Sequence, residues 1–311
     1  MAALKERRNM YKKIGLMVAP FIRKYGEKEA LKIAKECGAD CVDFSLFESL
    51  YDCTIPGNIY SKSDEAIVAY FSDIKKYADD IGIEICQTHG RLVGYYDDEN
   101  HNEIWRKNIR LDCMVTKTLG APVCVIHAMN TFRNGVDCPP ERMHKMNTEM
   151  FCYGLKFAKQ YDIMLATETF GDCRQYKVCD FFGQTDEFIK QIEEISKIGD
   201  NDKYFGVCID TGHSNKATRY GQVSAQEVIR RVGKKTKVLH INDNDTFTDQ
   251  HKMPFSGTID WDDVFDALDE IGYDGVYNME LELEFYGEEL IIETASFAVK
   301  VLRNYLDKRY N

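Results

Sequence analysis

Residues 205–213 read Phe-Gly-Val-Cys-Ile-Asp-Thr-Gly-His, a largely apolar run that ends in an acidic residue and a histidine. Continuous rather than alternating apolarity is typical of a strand that is buried on both faces, as in a parallel sheet. Seven similar runs occur along the chain, and successive runs start about 27 to 42 residues apart, which is the spacing of repeated βα units. The predicted strands are 14–18, 41–44, 83–87, 123–127, 163–167, 205–210, 238–242 and 276–280.

Helical patterns fill the intervals between these strands. The predicted helices are 27–37, 63–80, 101–119, 140–160, 185–198, 224–232, 261–271 and 287–307. Several of them end near a glycine that can adopt a left-handed cap, namely Gly38, Gly82, Gly120, Gly199, Gly233 and Gly272. Asp260 precedes a helix as a candidate N-cap, and Ser224 with Glu227 fits a capping box.

Eight strand–helix pairs with no break in composition predict one α/β domain. A closed (β/α)₈ TIM barrel over residues 1–311 fits this pattern best, with residues 1–11 as a short N-terminal extension. An open doubly wound sheet is the alternative. It is disfavoured because neither a glycine-rich dinucleotide fingerprint nor a P-loop follows the first strand.

Charge and composition exclude several classes of protein. The chain of 311 residues is 44% hydrophobic and 29% charged, with a net charge of −11, so it is not a generally basic nucleic-acid binder. Eleven cysteines without a CxxC pair are typical of reduced thiols in a cytosolic protein. The basic N-terminus precedes an apolar run at 14–22, but Gly15 and Pro20 interrupt it and no small-residue cleavage site follows. We therefore predict a cytoplasmic protein, and no run approaches the ~20 apolar residues of a membrane span.

Metal-ligand residue types follow the predicted strands at their carboxyl ends. These residues are His89, His127, Glu168, Asp210, His213, His240, Asp249, His251 and Glu280. In a barrel such positions converge on one pocket. Because carboxylates in a low-dielectric pocket repel each other and lose hydration, a divalent cation among them is the simplest hypothesis.

Four of these residues come from four successive strands and form the predicted metal site: Glu168, Asp210, His240 and Glu280. Three carboxylates with one imidazole favour Mn²⁺, Mg²⁺ or Co²⁺, and Zn²⁺ stays open. A metal that bridges a carbonyl and the adjacent hydroxyl stabilises a developing enolate oxygen.

The same residues lie in motifs that resemble a known family. Residues 206–213, 238–243, 249–251, 254–257, 259–261 and 272–275 running into Glu280 resemble the sugar phosphate isomerase/epimerase group of the xylose isomerase-like barrel superfamily. The resemblance implies a Mn²⁺-type ion bound by the four predicted ligands. It also implies proton abstraction through a metal-stabilised enediolate, with Glu168 and Glu280 as general base and acid and His213 positioning a substrate hydroxyl.

We therefore predict a metal-dependent isomerase or epimerase that acts on a small sugar, sugar phosphate or keto-sugar. The residues assigned to substrate binding are His89, His127, His213, Arg174, Asp249 and His251. Arg174 is a candidate phosphate contact, although a solvated charge explains it equally well. Whether the protein forms a homo-oligomer stays open.

Two alternative activities use the same residues. Enolisation next to a keto group can expel a β-substituent, which would make the protein a keto-inositol dehydratase or a 3-keto-glycoside lyase. The nine strand-end residues also resemble the zinc ligands of the family 2 AP endonucleases, in type and in order. The net charge of −11 argues against that nuclease, which should present a basic rim to DNA. The basic candidates for such a rim are Arg91, Arg133, Arg174, Lys177, Lys216, Arg219 and Lys252.

Overall fold

The structure is a computed structural model that describes residues 11–310. Eight parallel strands alternate with helices along the chain. The strands are β1 Ile14–Met17, β2 Cys41–Ser45, β3 Glu84–His89, β4 Val123–Ile126, β5 Met164–Glu168, β6 Phe205–Asp210, β7 Thr236–His240 and β8 Tyr277–Met279. The predicted extension 1–11 lies outside the described residues except for Tyr11.

The strands form a nearly closed barrel. Each strand pairs in parallel with its neighbour in the sequence from β1 to β7, and β8 returns to pair with β1, where Ile14 lies opposite Tyr277. Contact between β7 and β8 is made just past the end of β7, where the Ile241 amide donates to the Asn278 carbonyl at 2.7 Å. The sequence prediction of a single (β/α)₈ TIM barrel is confirmed.

Helices pack around the outside of the barrel. The eight predicted helices have bounds within four residues of those observed, which are Glu27–Glu36, Asp64–Ile81, Glu99–Thr118, Pro140–Tyr161, Thr185–Ser196, Ala225–Val232, Trp261–Ile271 and Ile291–Tyr310. In the described part of the chain, three further helices were not predicted: Ala19–Tyr25, Thr131–Asn134 and Thr211–Ala217. The last helix starts four residues later than predicted, because two 3₁₀ turns occupy Leu283–Tyr286 and Glu288–Leu290. Among residues 11–310, no helix combines the length and the apolarity that a membrane span requires.

Helix caps agree with the sequence at most predicted positions. Asp260 accepts a hydrogen bond from the Asp263 amide, and Gly272 ends the same helix in the left-handed region. The capping box at Ser224 was wrong, because Ser224 occupies the N-cap position but its side chain accepts no capping hydrogen bond.

The barrel interior changes character along its axis. Alternate residues of a strand face the interior, so Met164, Ala166 and Glu168 form one column on β5. Near the amino ends of the strands the interior is apolar and contains Val123, Val125, Ala166, Cys208 and Val238. Above this layer the interior-facing residues are polar. The carboxyl end of the barrel interior therefore combines burial with ionisable groups.

Candidate metal centre

Glu168 at the end of β5 is the hub of this polar layer. It is 1% exposed, and its Oε2 lies 3.1 Å from Nε2 of both His89 and His127. Its Oε1 lies 3.1 Å from His240 Nδ1 and 3.3 Å from His213 Nδ1. Four imidazoles from four loops and strands thus surround one buried carboxylate, as the sequence prediction of a convergent pocket requires.

A second carboxylate completes this group. Glu280, just beyond β8, places its Oε2 3.0 Å from His240 Nδ1 and its Oε1 3.9 Å from His89 Nε2. One ligand atom from each of His89, Glu168, His240 and Glu280 lies within 4.8 Å of the others, and all four residues are buried. Glu168 Oε1 and His240 Nδ1 are buried without a hydrogen-bond partner. The group offers two imidazoles and two carboxylates, and these two atoms in it lack a partner. Such a donor set fits a divalent cation.

Asp210 lies in an adjoining group rather than in this one. The sequence prediction grouped Asp210 with Glu168, His240 and Glu280, whereas the structure groups His89 with those three and gathers Asp210, His213 and His251 separately. Asp210 Oδ1 accepts from the His213 amide at 2.6 Å, and Oδ2 accepts from Asn242 Nδ2 at 2.7 Å. The two groups adjoin, because His213 Nδ1 is 3.3 Å from Glu168 and 3.8 Å from Asp210.

His213 is held at both ring nitrogens. Nδ1 lies 3.0 Å from the Thr169 carbonyl, and Nε2 lies 3.3 Å from Asp249 Oδ2. Asp249 is itself 3.4 Å from the buried ammonium of Lys216 and 3.6 Å from His251 Nε2. Asp249 therefore links His213 to the loop at 249–251.

Charge within the cluster keeps the carboxyl groups ionised. Burial raises the pKa of Glu280, but the charges of His240 and His89 outweigh it and lower the pKa to about 2. Burial likewise raises the pKa of Glu168, whereas its histidine contacts hold it well below its usual range. Both carboxyl groups are therefore ionised near neutral pH, which is the form that binds a cation.

The basic residues predicted at the rim divide into two kinds. Arg174 is exposed in the turn between the short antiparallel strands Asp172–Cys173 and Val178–Cys179. Among the described residues, it forms no hydrogen bond or ion pair with the metal-ligand groups. Arg91 is wrong as a rim residue, because it is 1% exposed and pairs with Asp112 at 2.7 Å. Lys216 is also buried, with Asp172 Oδ1 at 2.9 Å from its Nζ.

Sequence reasoning missed three polar residues beneath the cluster. Asp43 on β2, Gln87 on β3 and Asn278 on β8 are buried inside the barrel, and both amides donate to the Asp43 carboxylate. Asp43 lies within a predicted apolar strand, 41–44, and its charge there was the available signal. A lone Asp in such a run requires a partner or a function.

Comparison with known proteins places this site in a family. The sequence model of the family described as xylose isomerase-like TIM barrel matches residues 31–300. The chain belongs to the xylose isomerase-like TIM barrel family. This agrees with the resemblance seen in the strand-end motifs.

Individual members of the family are distant. The chain matches only about a quarter of the length of its curated relatives; one is an uncharacterized protein of Sinorhizobium fredii, 34% identical over 27% of this chain and 25% of its own length. Among solved structures, a D-tagatose 3-epimerase-like protein is 20% identical with a TM-score of 0.68, covering 95% of this chain and 97% of its own. The IolI protein with a bound zinc atom is 19% identical with a TM-score of 0.70, covering 96% of this chain and 99% of its own. These two structures share the fold.

Proposed function

We propose that this protein is a divalent-metal-dependent isomerase or epimerase that acts on a small sugar, sugar phosphate or keto-sugar and transfers a proton through an enediolate. The observation that carries the proposal is the buried group of His89, Glu168, His240 and Glu280 at the mouth of the barrel. The names of the solved relatives support it, since one is a sugar-epimerase-like protein and another binds zinc.

The proposed metal ligands are Glu168, His240 and Glu280, with His89 or Asp210 as the fourth. When bound, a divalent ion supplies a Lewis acid that polarises a substrate carbonyl and offsets the charge of the enediolate. With Asp210 as fourth ligand the donor set favours Mn²⁺, as the sequence predicted, whereas with His89 the second imidazole favours Zn²⁺. Elemental analysis of protein purified without chelator distinguishes the two.

The two glutamates are the proposed proton carriers. Glu168 Oε1 and Glu280 Oε2 lie 3.1 and 3.0 Å from the same nitrogen, His240 Nδ1, so both carboxylates reach the same part of the pocket. One carboxylate removes the proton next to the carbonyl, and in an epimerase the other, after taking a proton from solvent, protonates the opposite face. In an isomerase the proton is returned to the neighbouring carbon.

The test is solvent exchange. Chelator-treated protein is reloaded with Mn²⁺ or Zn²⁺ and incubated in deuterated water with free ketoses, their phosphates and keto-inositols, and the products are measured by mass spectrometry and NMR. We expect one carbon-bound deuterium with no other change in mass, and no exchange in the metal-free protein. Absence of exchange across the whole panel would overturn the proposal.

The same experiment separates the alternatives. Loss of water or of an aglycone would identify a keto-inositol dehydratase or a 3-keto-glycoside lyase. Cleavage of a duplex with an abasic site would identify a nuclease, although a net charge of −11 and the burial of Arg91 and Lys216 leave less basic surface for DNA than the sequence suggested.

A further inference from the structure

One buried carboxylate in the barrel lies outside the metal-ligand group and touches it. Asp43 is in the middle of β2 and is 0% exposed. It shares the interior face of that strand with Cys41 and Ser45, by the alternation of side chains along a strand. An ionised carboxylate at this depth is costly unless several donors compensate it.

Two amide donors and one imidazole nitrogen converge on a single oxygen of Asp43. Asp43 Oδ2 accepts from Gln87 Nε2 at 2.8 Å and from Asn278 Nδ2 at 3.2 Å, and it lies 3.1 Å from His240 Nε2. Gln87 Nε2 also lies 3.1 Å from His240 Nε2, and a charge-assisted hydrogen bond from that ring nitrogen to the carboxylate is the stronger of the two. The amides come from β3 and β8 and the imidazole from β7, so the carboxylate is fixed from both sides of the barrel. Because amide N–H groups can only donate, they hold this oxygen as an acceptor facing the ring.

The other nitrogen of His240 faces the candidate metal site. Nδ1 lies 3.1 Å from Glu168 Oε1 and 3.0 Å from Glu280 Oε2, and it has no hydrogen-bond partner. A histidine binds a metal through an unprotonated nitrogen, and the hydrogen bond made by its other nitrogen decides which one that is. The ring is therefore oriented at both ends, by a carboxylate behind it and by the ligand group in front.

We propose that Asp43 is a positioning residue, which holds the hydrogen of His240 on Nε2 and thereby presents the lone pair of Nδ1 to a divalent cation. Gln87 and Asn278 support this role by fixing the Asp43 carboxylate. The inference rests on the metal site of the proposed function but not on the reaction that follows, so it can be tested without a substrate.

The first test measures metal affinity in Asp43→Asn, which keeps the shape of the side chain and removes its charge. Zn²⁺ and Mn²⁺ affinities are measured by competition with a chromophoric chelator. We expect Asp43→Asn to bind the ion roughly 10- to 100-fold more weakly, the usual cost of losing an outer partner of a ligating histidine. The Co²⁺-loaded variant should also show shifted visible absorption bands.

Ser45→Ala is the matched control. Ser45 lies on the same strand and the same face, is buried, and its hydroxyl has no hydrogen-bond partner. We expect it to bind the metal like wild type, with unchanged Co²⁺ bands. Equal affinities for wild type and Asp43→Asn would overturn the role of Asp43, whereas failure of wild type to bind any ion would overturn the proposed function instead.

A second measurement needs no variant and covers the case in which Asp43→Asn fails to fold. Wild-type protein labelled with ¹⁵N-histidine and loaded with Zn²⁺ should show a protonated Nε2 and a metal-shifted Nδ1 for His240. A protonated Nδ1 with the metal on Nε2 would contradict the proposal.

Discussion

Replacing Glu168 by Gln tests whether this carboxylate is the chemical centre of the site. The change keeps the size of the side chain but removes a charge that four imidazole nitrogens contact at 3.1 to 3.3 Å. Loss of a general base costs about 10²- to 10⁴-fold in rate. Since each factor of ten is about 1.36 kcal/mol, the activation barrier should rise by roughly 2.7–5.4 kcal/mol.

The assay is deuterium uptake into whichever sugar of the panel the wild type exchanges, at saturating metal so that weaker metal binding does not limit the rate. Glu282→Gln is the matched control, because it makes the same change on an exposed residue two positions from Glu280. We expect at least ~100-fold slower exchange in Glu168→Gln and wild-type exchange in the control. Exchange within about twofold of wild type in Glu168→Gln would refute its role as the base.

Three further predictions concern the stability of the fold. Gly212→Ala should lower stability by about 1–3 kcal/mol in urea unfolding, because a Cβ there would lie 1.9 Å from Asn242 Oδ1; an unchanged midpoint would contradict this. Asp243→Ala should lower the free energy of unfolding by more than about 2 kcal/mol and expose residues 244–260 to protease. The reason is that the Asp243 carboxylate accepts from the Gly257 and Thr258 amides and from Trp261 Nε1. Protease resistance like that of wild type would refute this prediction. Burial raises the pKa of Asp180 to about 6, so its contribution to stability is full below the unfolded pKa of about 3.9 and is lost as pH rises through about 6. Wild type should therefore lose stability relative to Asp180→Asn between pH 4 and 6, and parallel pH profiles would rule this out.

Much of the fold could be predicted because parallel barrel strands are buried on both faces. The run at 205–210 has the same bounds in the sequence and in the structure, and the other strands shift by at most two residues at each end. The helix Ala19–Tyr25 was missed, since its first turn lies in the apolar run 14–22 that was assigned to the first strand. Pro20 in that run is a favourable residue for a helix start.

The sequence predicted which residues lie at the mouth of the barrel, but not which of them come close together. Strand ends indicate which residues reach the mouth of a barrel, so His89, Glu168, His240 and Glu280 could be predicted together. Which ones come within reach of one ion depends on strand tilt and side-chain rotamers, and these placed Asp210 with His213 and His251.

Buried charge was the hardest feature to predict. Arg91 follows His89 by two residues and was expected on the rim, but it turns into the core and pairs with Asp112, which comes from the next helix along the chain. Asp43 was overlooked because it lies within an apolar strand. Its three partners come from other strands, 44 or more residues away in the sequence, so no local pattern signals them.

The most direct measurement of the central claim is metal titration of chelator-stripped wild-type protein by isothermal calorimetry, with elemental analysis of the recovered protein. The account predicts at least one tightly bound Mn²⁺ or Zn²⁺ per chain, with binding lost in Glu168→Ala. A folded wild-type protein that binds neither ion would contradict it.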